Sequence, residues 1–290
     1  MWVLLAAGFA LAACSGGSEE SDPAQPANPL IHEIADADGA VRGWLMGTIH
    51  ALPDGVEWRT PAIARVEAEA GLLIVEIADF EDRAASARTF GELATTPGLP
   101  PLPQRIAPSL RDDLAELMAK AGLSERDTGR IETWAAALML ARVQGPGSSA
   151  NGVDRALVSD FAGRPVRELE GTRAQLAIFD ALPEADQRDL LREVVAGAAD
   201  VGADPEALSS AWLVGDEAAL VEAGESGILA DPGLREALLV KRNRAWRPPI
   251  LAALDSGERP LVAVGAAHVV GPDGLAALLE AEGYTLTRLH

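Results

Sequence analysis

Gly47-Thr-Ile-His50-Ala-Leu-Pro-Asp-Gly55 near the start of this chain and Gly265-Ala-Ala-His268-Val-Val-Gly-Pro-Asp-Gly274 near its end follow almost the same pattern. Each stretch follows an apolar run and places a histidine three residues after a glycine, where a buried strand should end. Ligands of open α/β sheets bind beyond the carboxyl ends of such strands. If the two strands are parallel neighbours, both imidazole rings lie over one crevice, and we predict a functional site there.

The presence of two histidines in the same sequence pattern is stronger evidence for a functional site than either histidine alone. A single histidine in this setting is more often a core or turn residue with satisfied hydrogen bonds. Two of the four histidines in the chain share the frame, which favours a functional interpretation. Gly47 and Gly265 have a physical role in it, because a residue without a Cβ lets the backbone turn sharply or approach a ligand closely.

The hydrophobic pattern around the two stretches predicts an α/β fold. Two strands, over residues 30–35 and 41–46, are predicted to be joined by an Asp-Gly turn. Four further strands are predicted over residues 72–77, 165–170, 260–264 and 284–289. Most of the chain between about 80 and 254 has helical spacing of its apolar residues. We therefore predict a central mixed β-sheet with strands from both ends of the chain, interrupted by a large, mostly helical insertion.

Composition limits the classes of function. The chain has 290 residues, of which 48% are hydrophobic, so one large domain over 30–290, or a domain with an inserted subdomain, can bury a full core. Its net charge of -20 argues against a nucleic-acid partner, which would need clustered basic residues. The only lysines are Lys120 and Lys241, so a phosphate-binding loop with a Gly-Lys pair is missing, and no G-x-S-x-G serine elbow occurs.

The first residues are typical of an export signal rather than of a folded domain. Residues 1–13 form an uncharged apolar run, shorter than the roughly 20 residues that span a bilayer. The run ends in Leu11-Ala-Ala-Cys14, which resembles the bacterial lipobox, whose cysteine is lipidated. We therefore interpret residues 1–14 as a lipoprotein signal segment and residues 15–29 as a flexible tether. Because no basic residue precedes Cys14, we expect the natural start to lie upstream of Met1.

The lipobox resemblance implies a location. It implies an exported protein that is anchored to a membrane through the lipid on Cys14 and faces the periplasm, and Ser15 directly after it resembles outer-membrane sorting. The alternative is an ordinary apolar N-terminal helix with a buried cysteine. As the only cysteine, Cys14 excludes an intrachain disulfide and a cysteine-based zinc cluster.

Glu76 is the third candidate site residue, after His50 and His268. It interrupts the apolar strand 72–77, where a carboxylate stays ionised only beside a cation or with several hydrogen bonds. A metal ion or an arginine would meet that need. The alternative is that Glu76 lies past the last buried position and faces water.

Five further residues are weaker candidates. Glu170 ends the strand 165–170 in the same way as Glu76, and Arg42 on the hairpin strand could balance a cluster of carboxylates. Arg242 and Asn243 lie on a long predicted helix, and their simplest interpretation is a solvated helical face. Asp154 can equally be a helix N-terminal residue that the helix dipole stabilises.

These motifs, taken in order, resemble the TraB/PrgY/GumN family, which includes the TIKI metalloproteases. The resemblance covers roughly residues 30–290, and the ordered set is more specific than any single G-x-x-H. The matching stretches are Trp44-Leu-Met-Gly-Thr-Ile-His50-Ala-Leu-Pro53, Leu73-Ile-Val-Glu76, Gly152-Val-Asp154, Leu169-Glu170, Arg242-Asn243 and Val264-Gly-Ala-Ala-His268 with the residues up to Gly274.

The resemblance implies a fold like that of the erythromycin esterase and ChaN-like superfamily. It also implies a divalent metal, Mn, Co or Zn, held by His50, His268 and Glu76, with Glu76 either completing the coordination or acting as general base. The resemblance also covers four residues that match recurring features of the family whose roles are less well defined: Glu170, Arg242, Asn243 and Asp154.

From this resemblance we predict a lipid-anchored periplasmic metal-dependent hydrolase that acts on peptides. One alternative is an outer-membrane lipoprotein that binds haem or a metal complex without turning it over. The other is a regulatory or structural lipoprotein in which the histidines serve only as scaffold. The sequence leaves the oligomeric state open.

Overall fold

A computed structural model describes residues 26–79, 82–143, 147–199 and 206–290. The predicted signal segment 1–14, with its lipidation site Cys14, and most of the predicted tether 15–29 lie outside the described residues. Within the described ranges, no helix combines the length and the apolar character needed to cross a membrane.

The described residues form one six-stranded mixed sheet, in the spatial order β4-β3-β5-β2-β1-β6. Neighbours from β4 to β2 are parallel, whereas β1 is antiparallel to both β2 and β6. The strands are β1 (Ile31–Ala35), β2 (Val41–Thr48), β3 (Leu72–Val75), β4 (Val166–Glu168), β5 (Pro260–Gly265) and β6 (Thr285–Arg288). The predicted mixed sheet with strands from both ends of the chain is confirmed.

The central strands bring the two glycine-histidine stretches together. β2 and β5 are parallel neighbours, with Thr48 opposite Gly265, so both strands end at the same edge of the sheet. β3 pairs with the other side of β5, and all four of its residues are buried. Strands that are covered on both faces need apolar residues at every position, which explains the continuous apolar runs in the sequence.

Helices fill the middle of the chain, as predicted. Their bounds are α1 (Pro61–Glu69), α2 (Arg83–Leu93), α3 (Arg111–Lys120), α4 (Glu125–Thr128), α5 (Thr133–Ala141), α6 (Val153–Asp160), α7 (Thr172–Asp180), α8 (Glu184–Ala199), α9 (Ala207–Val214), α10 (Glu217–Ala223), α11 (Pro232–Arg235), α12 (Lys241–Asp255) and α13 (Leu275–Ala281). One turn of π-helix, Glu236–Val240, joins α11 to α12.

The apolar side chains form two separate cores. The larger core packs around the sheet and includes Trp44, Val262 and Trp246. The second lies among helices of the insertion and includes Trp134 and Leu191. We call α3, α5 and α8 the helical lobe, because α3 and α5 both pack on α8 around the second core.

Two strands are shorter than the sequence predicts. The strand predicted over 72–77 ends at Val75. The strand predicted over 165–170 is shorter, because only Val166–Glu168 pair with Leu73–Val75 of β3. Glu76 and Glu170 therefore both lie just past the ends of their strands.

Candidate functional site

Three predicted site residues meet at the carboxyl edge of the sheet, around Gly265. A Cβ atom added to Gly265 would lie 3.3 Å from Glu76 Oε1, 3.7 Å from His268 Cδ2 and 3.8 Å from His50 Nε2. β2, β3 and β5 each deliver one of these side chains, because each strand ends one to three residues before it. The glycine leaves open the space on which the three side chains converge.

His50 is paired with a carboxylate from another element. Its Nδ1 lies 2.6 Å from Asp154 Oδ2, and the Thr48 hydroxyl donates a hydrogen bond to Asp154 Oδ1. Asp154 is in the first turn of α6, where the helix dipole favours a negative charge. The helix starts close to His50 because Gly152 has no side chain, and a Cβ there would lie 2.5 Å from the His50 carbonyl oxygen.

This pairing changes the acidity of both partners. The negative charge of Asp154, and then its hydrogen bond, raise the pKa of His50 from 6.5 to about 9. Burial acts to raise the pKa of Asp154, but the charge and hydrogen bond of His50 outweigh burial and lower it. The His50 side chain is 71% exposed, so its protonated ring is accessible to a ligand.

His268 is buried and neutral. Arg242 Nη1 lies 3.0 Å from its Nε2, and Asn243 Oδ1 lies 2.7 Å from its Nδ1. Because a guanidinium group only donates, the partners assign Nε2 as acceptor and Nδ1 as donor. Burial lowers the pKa of His268 to about 3, against the opposing effect of Glu76. The ring packs on Trp246, with the ring centroids 4.4 Å apart.

Glu76 and Glu170 share one arginine. Arg242 Nη2 donates to Glu76 Oε2 at 2.5 Å and to Glu170 Oε2 at 2.8 Å. The Gly265 amide also donates to Glu76 Oε1 at 2.8 Å. Burial acts to raise the pKa of Glu76, but the positive charges of Arg242 and His50 and the hydrogen bond from the Gly265 amide outweigh burial and hold that pKa below its usual range. The predicted need of Glu76 for a cation is met by Arg242.

The structure places four of the five weaker candidates in the site and one outside it. Arg242 and Asn243 face the site, so the interpretation of this segment as a solvated face is wrong for both, whereas Arg244 is exposed. Glu170 and Asp154 join the site. Arg42 does not join it, because it pairs with Asp36 at 2.6 Å beside the hairpin turn, at the other end of β2.

Three residues of the site were missed by sequence reasoning. Trp246 donates its Nε1 hydrogen to Glu170 Oε1 at 3.0 Å and lies one helical turn after Arg242, a spacing that was visible in the sequence. Thr48, which holds Asp154, stands inside the first glycine-histidine stretch. Gln175 donates a hydrogen bond to Glu76 Oε2 at 3.1 Å, and no feature of the sequence indicated that it belongs to the site.

The side chains of the site fit the ligand set of a divalent cation only in part. His50 and His268 each hold Nδ1 against an oxygen acceptor, which is how metal-binding histidines are usually oriented. His50 Nε2 and Glu76 Oε1 both border the space beside Gly265. His268 Nε2 is engaged by Arg242, and no group of three or more His, Cys, Asp or Glu in the described ranges is placed to hold a metal. The metal assignment stays a prediction.

A cavity of about 230 Å³ opens in front of His50, and we call it the polar cavity because most of the residues that line it are polar or charged. The side chains that it shares with the site described above are those of His50, Glu76, Asp154 and Gln175. A small polar ligand in this cavity can therefore contact the protonated ring and both carboxylates.

The fold and the site define an α/β protein with a cluster of histidine, aspartate, glutamate and arginine side chains at the ends of its parallel strands. The sequence model of the TraB/PrgY/gumN family matches residues 30–288, and the chain belongs to this family. No curated protein and no solved structure matches the chain. The predicted family is confirmed, and the likeness to TIKI metalloproteases and to the wider superfamily stays a prediction.

Proposed function

We propose that the protein is a hydrolase that cleaves peptide bonds in the crevice beside His50. The observation that supports this most is the His50–Asp154 pair, in which His50 Nδ1 lies 2.6 Å from Asp154 Oδ2. Both side chains line the polar cavity, together with the ionised Glu76. A histidine oriented by a carboxylate is a common acid–base device in hydrolysis. The same proposal includes a periplasmic protein anchored through lipidated Cys14, which the lipobox-like residues 11–14 support.

The residues divide the work of hydrolysis as follows. Neutral His50 takes a proton from a water molecule through Nε2, and the water oxygen attacks the peptide carbonyl carbon. Asp154 stabilises the imidazolium that forms. His50 then gives the proton to the leaving nitrogen as the C–N bond breaks, yielding a carboxylic acid and an amine. Glu76 stays ionised and orients the water.

A divalent cation, Mn, Co or Zn, would be held by His50 and Glu76, with His268 as third ligand if its bond to Arg242 opens. When bound, it would supply a water of lowered pKa. The Nε2 lone pair of His50 cannot serve a metal and a proton together. With the cation present, His50 would be a ligand, and Glu76 would either complete the coordination or act as the general base.

Hydrolysis of a peptide library by the purified protein tests the proposal. The assay is run with Mn, Co or Zn added and with a chelator, and metal content is measured by mass spectrometry. We expect His50→Ala to lower the rate by about 10²–10⁴-fold, because one acid–base group contributes that much. His290→Ala, which removes an exposed histidine outside the cavity, is the matched control.

The outcomes separate the possibilities. Activity that resists the chelator assigns His50 as general base, and activity that requires a stoichiometric metal assigns it as ligand. Absence of hydrolysis under every metal condition, with the protein folded, would contradict the proposal and favour one of the non-catalytic alternatives.

A further inference from the structure

A second cavity, of about 290 Å³, lies on the other side of His50. Its walls come from α9, α10 and the segment after α10, and its floor is formed by the two glycine-histidine stretches. Most of its lining is apolar, including Leu208, Trp212, Leu220, Ala223 and Leu229. The polar cavity and this apolar cavity share His50.

The polar side-chain atoms on the floor of the apolar cavity already have partners. Trp212 donates its Nε1 hydrogen to the Gly47 carbonyl oxygen at 2.8 Å and leaves the apolar part of its ring to the cavity. The Thr48 hydroxyl donates to Asp154, and both ring nitrogens of His268 are engaged. An apolar group can therefore enter without stripping water from these groups, and only His50 retains a ring nitrogen for a ligand.

Size supports treating both cavities as one site. Ligand sites usually measure about 300–1,000 Å³. Each cavity alone is below that range, at about 230 and 290 Å³, but both border His50. A ligand that spans His50 would place polar groups beside Glu76 and an apolar group beside Trp212.

The rim of the apolar cavity shows unusual exposure. Leu208 on α9 is 49% exposed, and among the described residues only Val143 is also recorded as an exposed large hydrophobic, at 44%. Val143 does not line the cavity. Covering Leu208 with an apolar ligand would remove apolar area from water, which is favourable in proportion to the area.

We infer that the substrate carries an apolar group, of the size of a leucine or phenylalanine side chain, beside the bond that is cut. This group lies in the apolar cavity, while the bond itself lies at His50 and the polar remainder of the substrate faces Glu76 and Gln175. The inference rests on the proposed hydrolase function for its meaning, but the binding of an apolar group can be measured without turnover.

The first experiment measures binding of the neutral dye N-phenyl-1-naphthylamine, whose fluorescence rises in apolar surroundings. We expect one dye per wild-type chain, displaced by N-acetylphenylalaninamide at lower concentration than by N-acetylglycinamide. Ala223→Phe fills the cavity and should remove binding. Leu208→Ser should weaken binding about fivefold through lost apolar contact, and Val143→Ser, at a similarly exposed position, should not change it.

Folding of each variant is checked by its thermal melting curve. If Ala223→Phe does not fold, Leu208→Ser and Val143→Ser still form a matched pair, because both positions are exposed. Failure of the dye to bind the wild type, or equal effects of the two serine variants, would overturn the inference.

The second experiment uses the peptide library. We expect the preferred peptides to have leucine or phenylalanine on one side of the cleaved bond, and Leu208→Ser to reduce this preference. Cleavage without any apolar preference would overturn the inference while supporting the hydrolase. Dye binding without cleavage of any peptide would contradict the hydrolase and leave the apolar binding site established.

Discussion

His50 holds its proton to a higher pH than an ordinary histidine because Asp154 stabilises the charged ring. The pKa of His50 is raised to about 9 in the folded protein, from a usual value of 6.5. The stabilisation that this pair gives to the fold is therefore fully present below about pH 6.5 and is lost as the pH rises through about 9. Hydrolysis that uses neutral His50 should rise with pH over the same interval.

Replacing Asp154 by asparagine tests this assignment. We expect Asp154→Asn to return the pKa of His50 towards 6.5, because the negative charge is the largest cause of its shift. Ring proton resonances followed by NMR from pH 5 to 10 measure the change. His290, which is exposed, provides an internal comparison in the same spectra, and an unchanged His50 titration would contradict the pairing.

Gly265 leaves room for the site, so adding one methyl group should obstruct it. The Cβ of Gly265→Ala would lie 3.3 Å from Glu76 Oε1, a distance at which that side chain must yield slightly. The backbone φ of Gly265 is -48°, which alanine adopts readily. We expect the melting temperature to change little and hydrolysis to fall about 10²-fold through misplacement of Glu76.

Gly91→Ala is the control for that substitution, because Gly91 lies within α2 and its added Cβ meets no atom within 4 Å. We expect activity equal to wild type and stability equal or slightly higher, as alanine favours helix. Equal activity in Gly265→Ala and Gly91→Ala would show that the reaction does not use the space beside Gly265.

The individual side chains were only partly predictable from the sequence. Glu76 was predicted to need a cation because it interrupts an apolar run, and this requirement is physical and local. The identity of that cation was not predicted, because Arg242 lies far away in the sequence, on a helix whose charges would ordinarily face water. Arg42 was the more visible candidate, but Asp36, six residues earlier, already pairs with it.

Two arginines near the start of helix α12 differ strongly in the exposure of their side chains. Arg242 is buried between Glu76 and Glu170, whereas Arg244, two residues later, points outwards and its side chain is 64% exposed. We expect Arg242→Met to destabilise the protein by about 3–5 kcal/mol, because two buried carboxylates lose their cation. Arg244→Met should change stability by less than about 0.5 kcal/mol. Urea denaturation measures both values.

A rescue experiment checks the cause of the Arg242 effect. Combining Arg242→Met with Glu76→Gln and Glu170→Gln removes the unpaired charges, so part of the lost stability should return. If the triple variant is no more stable than Arg242→Met alone, then lost packing rather than uncompensated charge explains the destabilisation.

Elements with a continuous apolar run were predictable, and irregular ones were not. β3, β5 and the later part of β2 are runs of buried, mostly apolar residues that the sequence shows directly. The π-helical turn Glu236–Val240 was missed, because one extra residue in a helical turn has no distinct composition. That turn directly precedes α12 and its first residues, among them Arg242.

At the scale of the whole molecule, two separate cores predict two levels of stability. Leu191→Ala creates a cavity in the helical lobe and should cost about 2–5 kcal/mol. We expect hydrogen exchange to show faster exchange of amides in α3, α5 and α8, while β2 and β5 keep their protection.

Leu261→Ala, in the core around the sheet, is the matched variant for that experiment, because Leu261 and Leu191 are both fully buried. It should reverse the pattern and weaken protection of the sheet. Uniform loss of protection in both variants would mean that the two cores unfold as a single cooperative unit.

The general arrangement of the sheet followed from the sequence, but the order of its strands did not. Apolar runs near both termini indicated one sheet built from both ends of the chain. That β5 lies between β3 and β2, and that β6 lies beside β1, depends on contacts between distant residues. Such pairings leave no local signal that could be read before the structure is known.

The position of β5 in the sheet has a consequence for biogenesis. A chain that ends before Pro260 contains β1 paired with β2 and β3 paired with β4, but lacks the strand that joins these pairs and also lacks His268. A nascent or truncated chain therefore has no complete crevice. Synthesis must therefore pass β5 before the residues around Gly265 can come together.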